Sequence, residues 1–252
     1  GYYLEKYHSD LPMDYWAEKN FQTYIEFRKY LSSLSSDCFM AGNIPVDYLM
    51  LVKEFYPYKI NRAVGFTYSF NCFSKSKTSA HSDDDRVFQD SLDLDHPATH
   101  WDFDPRFVKH DSATYHSFFP MDSTREYGPT FISQVHPLIT NGFNVLNVSM
   151  HVRNVKPGIT ASLVVSFEKN KKSVFWQEKP FALFMDSSEN GALIFYSISL
   201  RDMGVDVSNA EMKAFAWNKD KEAFDIDDMH VDFESGNPWI YGLIEPIPRL
   251  RP

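Results

Sequence analysis

From Leu92 to Glu234 the chain presents one short alternating segment after another, with no helix-period stretch between them. The segments are "LDLD" (92–95), "ATYHSFFPM" (113–121), "PTFISQVHPL" (129–138), "NVLNVSMHVRNV" (144–155), "TASLVVSFEK" (160–169), "KSVFWQEKPFALF" (172–184), "ALIFYSISL" (192–200), "EMKAFAWNK" (211–219) and "AFDIDDMHVDFE" (223–234). Pro, Gly, Asn and Asp break them apart. In Leu163, Val165 and Phe167 the apolar residues recur with period two, which puts them on one face of a strand. About nine such strands at short intervals predict an antiparallel β-sandwich.

The residues before Leu92 have a different texture. "DYWAEKNFQTYIEFRKYLSSLS" (14–35) carries apolar residues at helical spacing, with Asp10 or Asp14 as a cap. "DCFMAG" (37–42) reads as a strand, "NIPVDYLMLVKEFYP" (43–57) as a helix capped by Asn43 and stopped by Pro57, and "AVGFTYSFNCFSK" (63–75) as a strand. Residues 1–75 are therefore expected to form a small α/β unit of order helix-strand-helix-strand. The polar, acidic segment 76–91 reads as a linker, the 92–234 region as the β-sandwich, and the Pro-rich 235–252 as an extended tail.

Composition limits the function classes. A net charge of −9 over 252 residues disfavours a nucleic-acid surface or docking on anionic lipid. No apolar run reaches the roughly 18 residues of a membrane span. Cys38 and Cys72, the only cysteines, fit no zinc or redox spacing. The chain opens at Gly1 without a signal peptide, so a leader, a lipid anchor or a membrane domain upstream is expected, and with it a place outside the cytoplasm. There is no nucleophile elbow and no phosphate loop. No pair of carboxylates stands out for glycoside cleavage, so no catalytic residue is assigned.

"SLDLD", "EYGPTF" and the closing "AWNKDKEAFDIDDMHV" resemble the galactose-binding-like jelly rolls of bacterial carbohydrate-binding modules. The resemblance covers residues 92–234 and is most specific in the closing hairpin. It implies a jelly-roll fold and a non-catalytic binding or structural module, with carbohydrate as the ligand class. It also implies a structural Ca2+ held between the first and last strands, at Asp93 or Asp95 and at Asp227 or Asp228. Such an ion suits carboxylate and carbonyl oxygen. The other reading of Asp227 and Asp228 is that they discourage edge pairing. Exposed aromatics beside polar groups would make the sugar contact, and Trp101, Trp176 and Tyr196 are the candidates. Trp217 belongs to the closing hairpin and reads as structural. His96 and His100 are four apart, but Pro97 between them argues against a zinc-binding helix.

Residues 1–75, most visibly "YIEFRKYLSSLSSDCFMAGNIPVDYLMLVKEFYPY" (24–58), more faintly resemble the extracytoplasmic segment of multi-pass bacterial lipid-linked glycosyltransferases. That resemblance implies a soluble region whose catalytic residues lie in a membrane part elsewhere. A stand-alone glycan hydrolase is a further alternative. In the closing hairpin, strict alternation would put Phe224 and Ile226 on one face and Asp227, Met229 and Val231 on the other. Asp227 would then need a cation, a backbone donor or a basic side chain.

Overall fold

The computed structural model describes residues 23–41, 46–56, 58–64, 69–75, 86–96, 99–112, 116–139, 144–186 and 190–234. The amphipathic pattern over 14–35 appears in its described part as α1 (Tyr24–Ser33), which buries Phe27, Tyr30 and Leu31. Its cap is Thr23, whose Oγ1 accepts a hydrogen bond from the Glu26 amide at 3.1 Å. Asp10, Asp14 and Asn43 lie outside the described residues. The second helix is α2 (Val46–Phe55). With them goes an antiparallel sheet of β1 (Cys38–Ala41), β2 (Tyr58–Val64) and β3 (Ser69–Ser74) in the order β1-β3-β2. The single strand expected over 63–75 is thus two strands of a hairpin. Cys38 faces Ser74 and Cys72 faces Met40, so the cysteines sit diagonally on neighbouring strands rather than opposite each other.

The rest is an antiparallel jelly-roll sandwich. Its strands are β4 (Arg86–Leu92), β5 (Trp101–Asp102), β6 (Lys109–Asp111), β7 (His116–Met121), β8 (Tyr127–Gln134), β9 (Val145–Arg153), β10 (Ser162–Lys169), β11 (Lys172–Pro180), β12 (Gly191–Ser199), β13 (Glu211–Trp217) and β14 (Phe224–Glu234). One sheet runs β11-β10-β13-β8-β5; the other runs β12-β9-β14-β7-β6, with β4 also paired to β14. After β7 the chain passes back and forth between the sheets, with β8, β10, β11 and β13 in the first and β9, β12 and β14 in the second. Met212, Ala214 and Ala216 show the reason in miniature. They alternate with Lys213, Phe215 and Trp217, and only the first set is fully buried.

Two local expectations change. Residues 86–91 are a strand rather than part of a linker. Phe88, Asp90 and Leu92 turn inward while Val87, Gln89 and Ser91 face solvent, a period-two pattern that the polar composition conceals. "LDLD" contributes only Leu92 to that strand. The Asp93 carboxylate accepts from the amides of Asp95 and His96 at 3.1 Å, and Leu94 sits at φ 62°, so the chain turns there.

β14 does not alternate strictly. Against β9, Ile226 faces Val152 and Asp228 faces His151, so Asp227 is the extra residue of a β-bulge. The bulge resets the phase. Phe224, Ile226, Met229, Val231 and Phe233 all point into the core and are buried. Asp227 and Asp228 both stay outside. The strict alternation expected for this hairpin is therefore wrong after Ile226.

The N-terminal unit covers the β12 side of the outer face of the six-stranded sheet, where β12 meets β9. Phe195 lies opposite Ser149 in β9, on the face away from the core, and its ring meets Tyr24 of α1 at 5.2 Å. Tyr24 also stacks on Phe184 at 4.8 Å. α2 lies against β12, and Lys53 at its end forms an ion pair with the buried Glu234, which also accepts from Asn147. Buried residues of the unit and of the sandwich form one apolar cluster. This cover explains why Asn147 and Ser149 of β9 are buried on the outer face.

Gly191, opposite Arg153 at the start of β12, has no room for a side chain. A Cβ there would lie 2.4 Å from the Val152 carbonyl oxygen and 3.3 Å from the Arg153 Cα. Backbone cannot swing away as a side chain can. Gly191→Ala is expected to cost about 3 kcal/mol, at the upper end of overpacking, measured as a lower urea midpoint at unchanged slope.

Candidate functional site

Each of the four aspartates expected to hold calcium has partners among this chain's own side chains and amides. Asp227 accepts from the Arg153 guanidinium at 2.9 Å. Asp228 accepts from the backbone of His151, meets its Nδ1 at 2.6 Å and lies 3.2 Å from Nε2 of His230, whose Nδ1 in turn meets Ser91 Oγ at 2.8 Å. Asp93 is spent on its own turn and on His96 Nδ1 at 2.7 Å. Asp95 accepts from the Ser117 hydroxyl. Calcium takes six to eight oxygens, whereas imidazoles and a guanidinium surround the last-strand pair. Among the described residues no group of three or more His, Cys, Asp or Glu side chains could hold a metal ion. The residues present do not fit calcium. Asp227, turned outward by the bulge, has the Arg153 guanidinium as its partner.

This cluster gives the sandwich a pH dependence. Partial burial pushes the Asp228 carboxyl up, but the hydrogen bonds from His151 and His230 outweigh it and hold the group well below the usual range. The Asp228 carboxylate holds the His151 imidazole above its ordinary value of 6.5, against partial desolvation and with help from Asp227 and Glu54. The His151 contribution is complete below pH 6.5 and fades as pH rises through the raised value. The Asp228 contribution is present above 3.8 and fades as pH falls. The pair therefore supports the fold most between those two values. Melting temperature against pH is expected to fall from pH 6.5 upward, and the fall to flatten in His151→Gln.

Of the three candidate sugar-contacting aromatics, the structure leaves one on the surface. Trp101 is 7% exposed; it packs edge-on against Phe131 and donates its indole N–H to Asp90 at 3.2 Å. Tyr196 is 3% exposed and its hydroxyl donates to Gln177 at 2.8 Å, tying β12 to β11. Strand parity explains both. Trp101 faces Phe131 across the ladder, and Tyr196 shares its face with the inward Ile194. Neither can stack on a ligand.

Trp176 is 48% exposed and stands on the outer face of the five-stranded sheet, where further aromatics join it. It lies opposite Ser166 of β10, while Trp217 lies opposite Ser162 and Tyr127. The Trp176 and Trp217 rings meet at 5.9 Å and 80°. Tyr127, 55% exposed, meets Phe215 edge-on at 5.6 Å. Two tryptophans, a tyrosine and a phenylalanine from β8, β11 and β13 thus run across one face.

Polar groups stand between them. Trp217 donates its indole N–H to Glu126 at 3.3 Å, and the same carboxylate beside Tyr127 pushes that phenol up. Lys219 pairs with Glu178 at 2.5 Å. Lys213 pairs with Glu168 at 2.9 Å and Glu211 at 3.4 Å, which hold its ammonium above the usual range. Apolar platforms beside directed acceptors and donors are what a polyhydroxylated ligand needs. Trp217 is thus part of the face and not only of the closing hairpin. Tyr127 and Phe215 were missed, although the alternation of β13 already places Phe215 beside Trp217.

No family model matches the chain, and no curated protein does. Among solved structures it is similar to the CBM22-2 xylan-binding domain of Xyn10C from Paenibacillus barcinonensis. That match has 14% identity and a TM-score of 0.37, and covers 59% of this chain and 98% of that one. It is also similar to the C-terminal CBM6 of the laminarinase LamC from Zobellia galactanivorans, at 7% identity, TM-score 0.30, and 57% and 99% coverage. A third is a CBM28 module specific for non-crystalline cellulose, at 12% identity, TM-score 0.33, and 54% and 87% coverage. These similarities accompany the jelly-roll topology described above and say nothing by themselves of a ligand.

Proposed function

We propose that this chain is a non-catalytic carbohydrate-binding module that works outside the cytoplasm and takes its ligand on the outer face of the five-stranded sheet. The observation that supports the reading is the exposed array of Trp176, Trp217, Tyr127 and Phe215 with Glu126, Glu178 and Lys219 interleaved. Aromatic rings stack on the apolar faces of pyranose rings, and the carboxylates and ammonium groups bond to hydroxyls. The β12 side of the opposite sheet has its outer face under the N-terminal helices, and among the described residues its exposed part carries the Asp228, His151 and His230 cluster in place of aromatic platforms. A glycan array probed with the purified chain tests the reading. Binding that Trp176→Ala abolishes supports it, and a blank array counts against it.

A further inference from the structure

The aromatic corner of the five-stranded sheet already holds a cation of the protein's own. Trp176 and Trp217 meet at 80°, and the Lys219 Nζ lies 4.8 Å from the Trp217 ring centroid and 2.5 Å from Glu178 Oε2. A ring face attracts a cation through its quadrupole, most strongly for tryptophan. The wider face leans the same way. Among the described residues Asp102, Glu126, Glu168, Glu178 and Glu211 stand against only Lys213 and Lys219, and both lysines are already paired. Such a face repels uronic acids and attracts positive charge.

Lys219 is partly exposed at 28%, as is Glu178 at 29%, although the Glu178 Oε2 atom that it meets is buried. It also stands just beyond β13, in the turn before β14, where a side chain can swing out without disturbing the ladder. An incoming ammonium group would gain the Trp217 face and the Glu178 carboxylate that Lys219 gives up, with the Trp176 ring standing edge-on beside them.

We propose that the corner of Trp176, Trp217 and Glu178 is a seat for the ammonium group of an amino sugar, and that Lys219 is its placeholder in the free protein. The inference rests on the carbohydrate reading of the same face. The ligand class is a glycan with free primary amines, such as a β-linked glucosamine oligomer.

Calorimetric titration with a glucosamine hexasaccharide and its fully N-acetylated counterpart, at a pH where the amine is protonated, tests it. The free-amine oligomer is expected to bind about tenfold tighter, and to lose that advantage as salt rises toward about 1 M. Glu178→Gln, checked by melting temperature for an intact fold, should erase the advantage. Lys219→Ala should tighten the glucosamine oligomer severalfold and leave the N-acetylated one unchanged. Equal or tighter binding of the N-acetylated oligomer overturns the ammonium seat and leaves the face as a sugar site. Binding of neither, with a blank array, removes both the seat and the reading beneath it.

Discussion

Deleting His230 is expected to unfold the sandwich, whereas deleting Asp227, three positions earlier in the same strand, is expected to leave it folded. The difference follows from the bulge. With Asp227 present, Asp227 and Asp228 together oppose His151, and the buried set continues at Met229, Val231 and Phe233. Without Asp227 the strand would alternate regularly, with every apolar residue still inward. The loss would be the bulge and the Arg153 ion pair. Those side chains are 33% and 28% exposed, so the pair is worth about 1 kcal/mol at most.

Removing His230 has the opposite consequence. Val231 and Phe233 would turn to the outer face and Asp232 into the core, because a one-residue slip exchanges the faces of a strand. Val231 and Phe233 are fully buried, and exposing both costs about 3–6 kcal/mol before the aspartate is counted. That is comparable to the roughly 5–15 kcal/mol that holds a domain together. Far-ultraviolet dichroism and urea unfolding of the two deletion variants separate the cases. Equal destabilisation by both would mean that the bulge does not set the phase of β14.

The same strand shows how far the sequence can be read. Where burial is one-sided and regular, as in β13, alternation alone places every side chain. β14 looks equally regular until two adjacent aspartates interrupt it, and the pattern cannot say whether the strand bulges or a charge is turned inward. β4 was hidden for another reason. As an edge segment with Arg, Gln, Asp and Ser among its seven residues, it resembles a loop, and only its pairing with β14 makes it a strand. The partners of Asp227 and Asp228 were not legible. The bases that meet Asp227 and Asp228 come from β9, some seventy-five residues away in sequence.

Aromatic identity was a weaker guide to the site than strand parity. Trp101, Trp176 and Tyr196 look alike as candidates. Their fates differ because two share a face with core residues and one does not. What no pattern in residues 92–234 could show is that the N-terminal helices cover part of one sheet. That cover depends on contacts such as Tyr24 with Phe195 and Lys53 with Glu234, which join distant parts of the chain.

The second large effect belongs to that face. Trp176 is half exposed and carries little of the fold, so truncating it should not move the melting temperature by more than a degree or two. As the most exposed tryptophan of the ligand face it should behave as a binding hot spot, worth about 2 kcal/mol or more. That is roughly a 30-fold loss of affinity. Phe107 is a matched control. It is 40% exposed, lies under the Arg125 guanidinium and packs edge-on against Phe119 of the six-stranded sheet, so Phe107→Ala should bind as the parent does.

The most direct measurement is therefore the affinity of the parent chain, Trp176→Ala and Phe107→Ala for the best glycan on an array, by calorimetry with melting temperatures recorded beside it. The predicted result is a loss of about 30-fold or more in Trp176→Ala alone, with all three chains equally folded. Undiminished binding by a folded Trp176→Ala would contradict the assignment of the five-stranded face as the ligand site.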